Sequence, residues 1–178
     1  MMYWFWITVS LILSAGIFAG VLWMIAGDLC GAPFVPSNRT FLEKIFAIAG
    51  FKTGKRFLDI GSGDGRAVRL AAKKYGLIAT GIELQPFLIW YSRLISKSRK
   101  IANTRYIRRN FFHGKLPEAE YVYFYLFPGT VEKLGKKILA ECNPGTIAIS
   151  RAFEVKVLKK NLINTLTDKG RRVYFYRL

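Results

Sequence analysis

The chain has 178 residues, 52% of them apolar, a length that suits one domain with a sizeable core. Its 28 Lys and Arg against 11 Asp and Glu give a formal charge of +17, and its two cysteines, Cys30 and Cys142, exclude a disulfide-built scaffold and agree with a reducing compartment. No internal repeat or low-complexity tract is present, and no Cys, His and carboxylate cluster has metal-ligand spacing, so a repeat architecture is excluded and no metal is expected.

From Met1 to Gly27 no side chain is charged. The run exceeds the roughly 18 residues at which a membrane-spanning helix becomes the default reading, so residues 1–27 are expected to form a transmembrane anchor. Tyr3, Trp4 and Trp6 near one end and Trp23 near the other fit interfacial aromatic belts. A cleaved signal peptide is the competing reading, but it needs a basic start and a shorter apolar stretch. Every basic side chain follows the anchor, which places the domain on the cytoplasmic side of the membrane, or on the matrix side in a mitochondrion.

Residues 28–54 read as a linker followed by a short helix, capped by Ser37 or Asn38 and running through Ile48, with Phe41, Ile45 and Ile48 on one face. Residues 55–178 then alternate. Strands are expected over 56–60, 77–84, 104–112, 121–127 and 146–153, with helices over 66–75, 86–100 and from Pro128 to Cys142. Strands alternating with helices of this length indicate βαβ units and a mostly parallel sheet. At the end, 161–167 and 171–177 flank Asp168-Lys169-Gly170 and read as an antiparallel hairpin closing the sheet, the alternative being a last helix over 155–166.

The densest chemistry lies at Asp59-Ile60-Gly61-Ser62-Gly63-Asp64-Gly65-Arg66, between the first strand and its helix. Glycines 61, 63 and 65 allow a sharp turn and close ligand approach, and a helix N-terminus follows. A dinucleotide fold would show G-x-G-x-x-G; here the spacing is G-x-G-x-G, with Asp64 where a pyrophosphate would sit. A carboxylate there repels phosphate and suits a ligand with a cationic amino-acid end. S-adenosylmethionine has such an end, together with a sulfonium and two ribose hydroxyls. Asp59 is expected to serve its ammonium and Glu83, closing the second strand just before Leu84, its ribose.

The run DIGSGDGR resembles motif I of class I S-adenosylmethionine-dependent methyltransferases. With Pro33–Ser37 (PFVPS), Gly81–Leu88 (GIELQPFL) and Tyr91-Ser92-Arg93, the chain is similar over roughly 31–153 to the small membrane-anchored protein-lysine methyltransferases. In mitochondria these modify the adenine nucleotide translocase and the c-ring protein of ATP synthase, and prokaryotic relatives share the hydrophobic N-terminus. The resemblance implies a Rossmann-like methyltransferase sheet and S-adenosylmethionine as cofactor. It further implies contacts from Asn110 at the exit of strand 3, and a lid from Pro36 and Ser37. Two departures stand out: Gln85 where the family usually has Asn, and Asn110 where it usually has Asp.

Acceptor-binding groups in such sheets come from the end of strand 4, here Tyr125-Leu126-Phe127-Pro128. Tyr125 and Phe127, two residues apart, are candidates to line the substrate channel and hold a methylammonium against their rings; the competing reading makes them one core face with Tyr121 and Tyr123. His113, the only histidine, is expected in a loop near the adenine pocket. The basic clusters are expected to face an anionic lipid surface, with nucleic acid a less favoured partner because no aromatic-basic RNA motif is present. The expected activity is methylation of lysine on a membrane protein. The alternatives are a lipid or small-molecule acceptor, or a module that binds S-adenosylmethionine or RNA without turnover.

Overall fold

The computed structural model describes Met2–Leu29, with side chains through Gly20, and residues 38–178. The chain divides into two compact units, Met1–Val35 and Pro36–Leu178. In the first, Met2–Leu29 is one helix of 28 residues (α1), and its stretch Met2–Gly20 is long and apolar enough to cross a membrane. The hydroxyls of Thr8, Ser10 and Ser14 donate to carbonyls of the preceding turn, so these polar groups are satisfied inside the helix. That is what hydrocarbon demands of a spanning segment.

The second unit opens with α2, Arg39–Ile48, capped by Asn38, whose Oδ1 accepts from the Thr40 and Phe41 amides at 2.9 and 3.4 Å. The helix buries Phe41, Leu42, Ile45 and Phe46. Ile48, expected on the inward face, is 41% exposed. The buried stripe is centred between the 41/45 and 42/46 rows, so position 48 falls off its edge as the helix ends.

There follow β1 (Arg56–Ile60), α3 (Arg66–Tyr75), β2 (Ile78–Glu83), α4 (Pro86–Ser98), β3 (Thr104–Arg108), β4 (Tyr121–Phe124), α5 (Pro128–Glu141), β5 (Ile147–Arg151), a 3₁₀ turn (Lys156–Asn161), β6 (Leu162–Asp168) and β7 (Arg171–Arg177). The seven strands form one sheet in the order β3-β2-β1-β4-β5-β7-β6. The first five pair in parallel, and β7 enters antiparallel between β5 and β6. The expected mixed sheet with a C-terminal hairpin is therefore what forms. Lys169 and Gly170 both take positive φ, 51° and 76°, the two-residue turn whose twist matches that of the strands. The alternative last helix is reduced to the 3₁₀ turn.

Side chains alternate across the sheet and make two cores. Phe57, Tyr121 and Tyr123 pack under α2 and α3, with Phe46 in edge contact with Phe57, Tyr75 and Tyr123. Leu58, Ile60, Val122 and Phe124 face α5 on the other side. Three strands end earlier than expected, β3 at Arg108, β4 at Phe124 and β5 at Arg151. Asn110 Oδ1 accepts from the Phe112 amide at 2.9 Å, an Asx turn that diverts the chain after β3. After β4, Pro128 starts a helix for which Phe127 is the cap, with its carbonyl receiving the Thr130 and Val131 amides.

Candidate functional site

Open α/β sheets bind ligands beyond the carboxyl ends of their strands, where the strand order reverses. In this sheet that point lies between β1 and β4, and the Asp59–Gly65 turn stands there. Gly61, Gly63 and Gly65 all have positive φ (76°, 55° and 74°). A Cβ on Gly61 would lie 2.7 Å from Leu126 Cδ2. One on Gly65 would lie 2.6 Å from the Tyr106 ring and 2.8 Å from Ser92 Oγ. The turn is thus clamped between the exit of β4 and the α4/β3 side, which only glycine permits.

Three carboxylates converge on this turn, each in a different state. Glu83 spans it: Oε2 accepts from the Gly63 amide at 2.9 Å, and Oε1 from the Leu84 and Gln85 amides at 2.7 and 3.0 Å. Of roughly four acceptor sites on a carboxylate, three are engaged, so a ribose diol meets Glu83 fully only if one amide yields. Asp64 is neutralised by Arg66, whose Nη2 lies 2.7 Å from Oδ2 and whose Nε lies 3.0 Å from each oxygen. The expected bare negative charge at Asp64 is corrected accordingly. Its backbone carbonyl is also taken, by Arg69 Nη1 at 2.6 Å.

Asp59 is the exception. It is 3% exposed, and among the described residues no donor is hydrogen-bonded to its carboxylate. Burial, then Glu83, then Asp64 push its carboxyl well above the ordinary carboxylate range. A buried acid lacking a counter-charge, beside a clamped glycine turn, fits a ligand that brings a cation and supplies the missing donor. Ser62 Oγ is likewise buried without a partner, tucked over the α-carbon of Gly81.

The remaining candidates are more scattered. Leu84 is exposed at the end of β2 and contributes its amide to Glu83. Asn110 lies in a turn beyond β3, its Oδ1 already accepting from Phe112. Pro36 and Ser37 lie outside the described residues. His113 sits exposed in the same turn as Asn110. Tyr125 and Phe127 do not share a strand face. Tyr125 packs half-buried with the Arg151 guanidinium 4.1 Å over its ring, so one ring face already holds a cation. Phe127 is 45% exposed at the start of α5. The core reading holds for Tyr121 and Tyr123, both buried.

Against known proteins, the ANTKMT methyltransferase domain family matches residues 59–161. The chain belongs to this family. It is 32% identical over 122 residues to the Xenopus laevis lysine N-methyltransferase that acts on the c-ring protein of ATP synthase, covering 68% of this chain and 53% of that protein. It is 29% identical over 126 residues to a protein-lysine N-methyltransferase of Saccharolobus islandicus, covering 70% and 78%. The chain therefore spans about half the length of the animal relative and most of the archaeal one. Among solved structures, an RNA methyltransferase from Salinibacter ruber in complex with S-adenosyl-L-homocysteine superposes with a TM-score of 0.75 at 28% identity, over 80% of this chain and 93% of that one.

The span matched by the ANTKMT methyltransferase family takes in both the carboxylate turn and Arg151. Sequence reasoning missed the groups that brace the turn from behind. Ser92 Oγ donates to the Gly63 carbonyl at 3.2 Å, and Ser96 Oγ meets Tyr106 OH at 2.9 Å. Their signal was present, since Ser92 and Ser96 stand four apart on α4 and so share a helix face. Arg151, buried at the end of β5 and also 5.3 Å from the Phe41 ring, had no local signal; only the juxtaposition of β5, Tyr125 and α2 reveals it.

Proposed function

We propose that this chain is an S-adenosylmethionine-dependent methyltransferase that modifies lysine side chains of a protein, held at a membrane by α1. The observation that carries the reading is the buried Asp59 carboxylate, without a donor among the described residues, at the reversal point of the sheet in a member of this family. When bound, S-adenosylmethionine supplies a methyl group on a sulfonium, transferred in line to a nucleophile. In this reading Asp59 takes the methionine ammonium, Gly61–Gly65 lie against the cofactor, and Glu83 with the Leu84 amide behind it holds the ribose. Asn110 lies toward the adenine, and Pro36 with Ser37 covers the cleft. Leu126 beneath Gly61 keeps the floor dry. Tyr125 and Phe127 border the acceptor path, with Arg151 fixing the Tyr125 ring.

The relatives named for the c-ring protein of ATP synthase and for adenine nucleotide translocase support an acceptor lysine on a membrane protein, as does a long uncharged N-terminal helix. With every basic side chain after that helix, the domain is assigned to the cytoplasmic or matrix side. A second reading, methylation of RNA, is favoured by the Salinibacter ruber structure, which the chain resembles over most of that protein's length.

The test is incubation of the full chain in detergent with methyl-labelled S-adenosylmethionine and membranes from its source that lack the gene. Label in one protein band, stable to base and mapped to lysine, is the expected result. Label in the RNA fraction establishes the second reading, and label in the organic extract replaces both with a lipid acceptor.

A further inference from the structure

The helix α4 is built inside out. It buries Leu88 and Ile89 but also Ser92 and Ser96, while Trp90, Tyr91 and Leu94 stand 58%, 37% and 46% exposed. At 100° per residue these three cluster on one outward stripe. Phe87 joins them, its ring centroid 5.8 Å from that of Trp90 and 6.4 Å from that of Tyr91. The inward serines are accounted for by their hydrogen bonds to the Gly63 carbonyl and Tyr106; nothing in the fold accounts for the outward aromatics. Contiguous apolar surface of this kind marks an interaction site.

The flank of the stripe names the occupant. Arg93 and Lys97 border it and also line an open groove of about 730 Å³ between α4 and β3, whose wall includes Arg105 and Arg108. Arg99 and Lys100 follow at the end of the helix, and from Leu84 through Pro117 the sequence has no acidic side chain. Trp and Tyr beside Leu, rimmed by Arg and Lys without a single carboxylate, is the composition of a helix lying in a membrane interface. The rings lean on one another as a patch, the Phe87 and Tyr91 planes only 17° apart, and do not present the separated faces on which bases stack.

We propose that the outer face of α4 docks on an anionic bilayer, with Trp90, Tyr91 and Leu94 at headgroup depth and lipid phosphates in the Arg93–Arg108 groove. The proposal rests on the reading of α1 as a membrane anchor. Docking would orient the domain so that the sheet end carrying Asp59 and Glu83 lies close to the membrane surface, since α4 begins immediately after Glu83.

The test uses the full chain with Cys30→Ser and Cys142→Ser, carrying an environment-sensitive fluorophore at Leu94→Cys or, on the opposite side of the sheet, at Leu139→Cys. Each is placed in nanodiscs of phosphatidylcholine alone or mixed with phosphatidylglycerol. The expected result is that doxyl lipid quenches the reporter at 94, and not at 139, in anionic discs. Lys97→Gln with Arg99→Gln should lower the docked-to-undocked ratio about 30-fold, from the contribution of two bases near the headgroups. A chain that fails to co-elute with discs overturns both the anchor and the docking. A chain that co-elutes with the reporter at 94 as water-exposed as that at 139 overturns docking alone. Shielding at 94 that appears only on adding RNA, or only when a substrate protein shares the disc, overturns it in favour of that partner.

Discussion

Replacing Asp59 by Asn should move binding and stability in opposite directions. The side chain keeps its shape but loses its charge. If the carboxylate receives the cofactor ammonium, a charge-assisted hydrogen bond of about 1.5–3 kcal/mol is lost, and affinity for S-adenosylmethionine falls about 10- to 150-fold. In the protein without ligand, the same carboxylate is buried beside Glu83 with no described donor, so removing its charge should stabilise the fold by about 1–2 kcal/mol at neutral pH. For a chain of this length that corresponds to a rise in Tm of about 2–8 °C.

The pH dependence fixes the sign independently. The folded carboxyl of Asp59 lies above its unfolded value, so as pH rises past the ordinary carboxylate range the unfolded state gives up its proton first. The native state then binds more protons, and stability falls with rising pH until the raised native value is passed. Glu43 and Asp168, held low by hydrogen bonds from Lys74 and Lys44 respectively, work the other way and lose their contribution only as pH falls. The difference between wild type and D59N therefore isolates Asp59. Titration calorimetry gives the affinity, and thermal unfolding in detergent from about pH 5 to about 8 should show the gap in Tm widening toward high pH. Affinity within twofold of wild type, or a Tm gap that does not grow with pH, refutes the assignment of Asp59 as a buried acid awaiting a cation.

Glu83→Gln should weaken cofactor binding at least tenfold. It should also lower Tm in the protein without ligand, because the Gly63, Leu84 and Gln85 amides exchange an ionised acceptor for a neutral one; calorimetry and unfolding read the two effects separately. Gly65→Ala places a Cβ against the Tyr106 ring at a φ of 74°. The left-handed backbone and the clash together should cost about 2–5 kcal/mol in denaturant unfolding, and cofactor affinity should fall with it. Phe46→Ala empties the centre of the aromatic cluster beneath α2 and should cost about 3–5 kcal/mol while leaving affinity per folded molecule unchanged. An affinity loss there would mean that α2 also shapes the cofactor cleft.

Local patterning was sufficient wherever one physical rule acts over a few neighbouring residues. The strand at 56–60, the helix at 66–75, the Asn38 cap and the positive-φ turn before Arg171 all follow from alternation, glycine placement or side-chain capping, and they form as expected. The glycine turn and its acids were legible for the same reason. What the sequence could not carry is how charges and rings are shared between distant segments. Asp64 and Asp59 read alike in one dimension, yet Arg66 reaches back to neutralise the first, while burial beneath the turn leaves the second without a donor among the described residues. Tyr125 reads as a free aromatic until β5 brings Arg151 over its ring. The pattern of α4 reads as an ordinary amphipathic helix until the sheet decides which side faces inward, and it selects the serines because they hydrogen-bond the turn. Periodicity and turn chemistry act through nearest neighbours and survive in the linear code. Electrostatic pairing and burial depend on distances that exist only once the sheet has assembled.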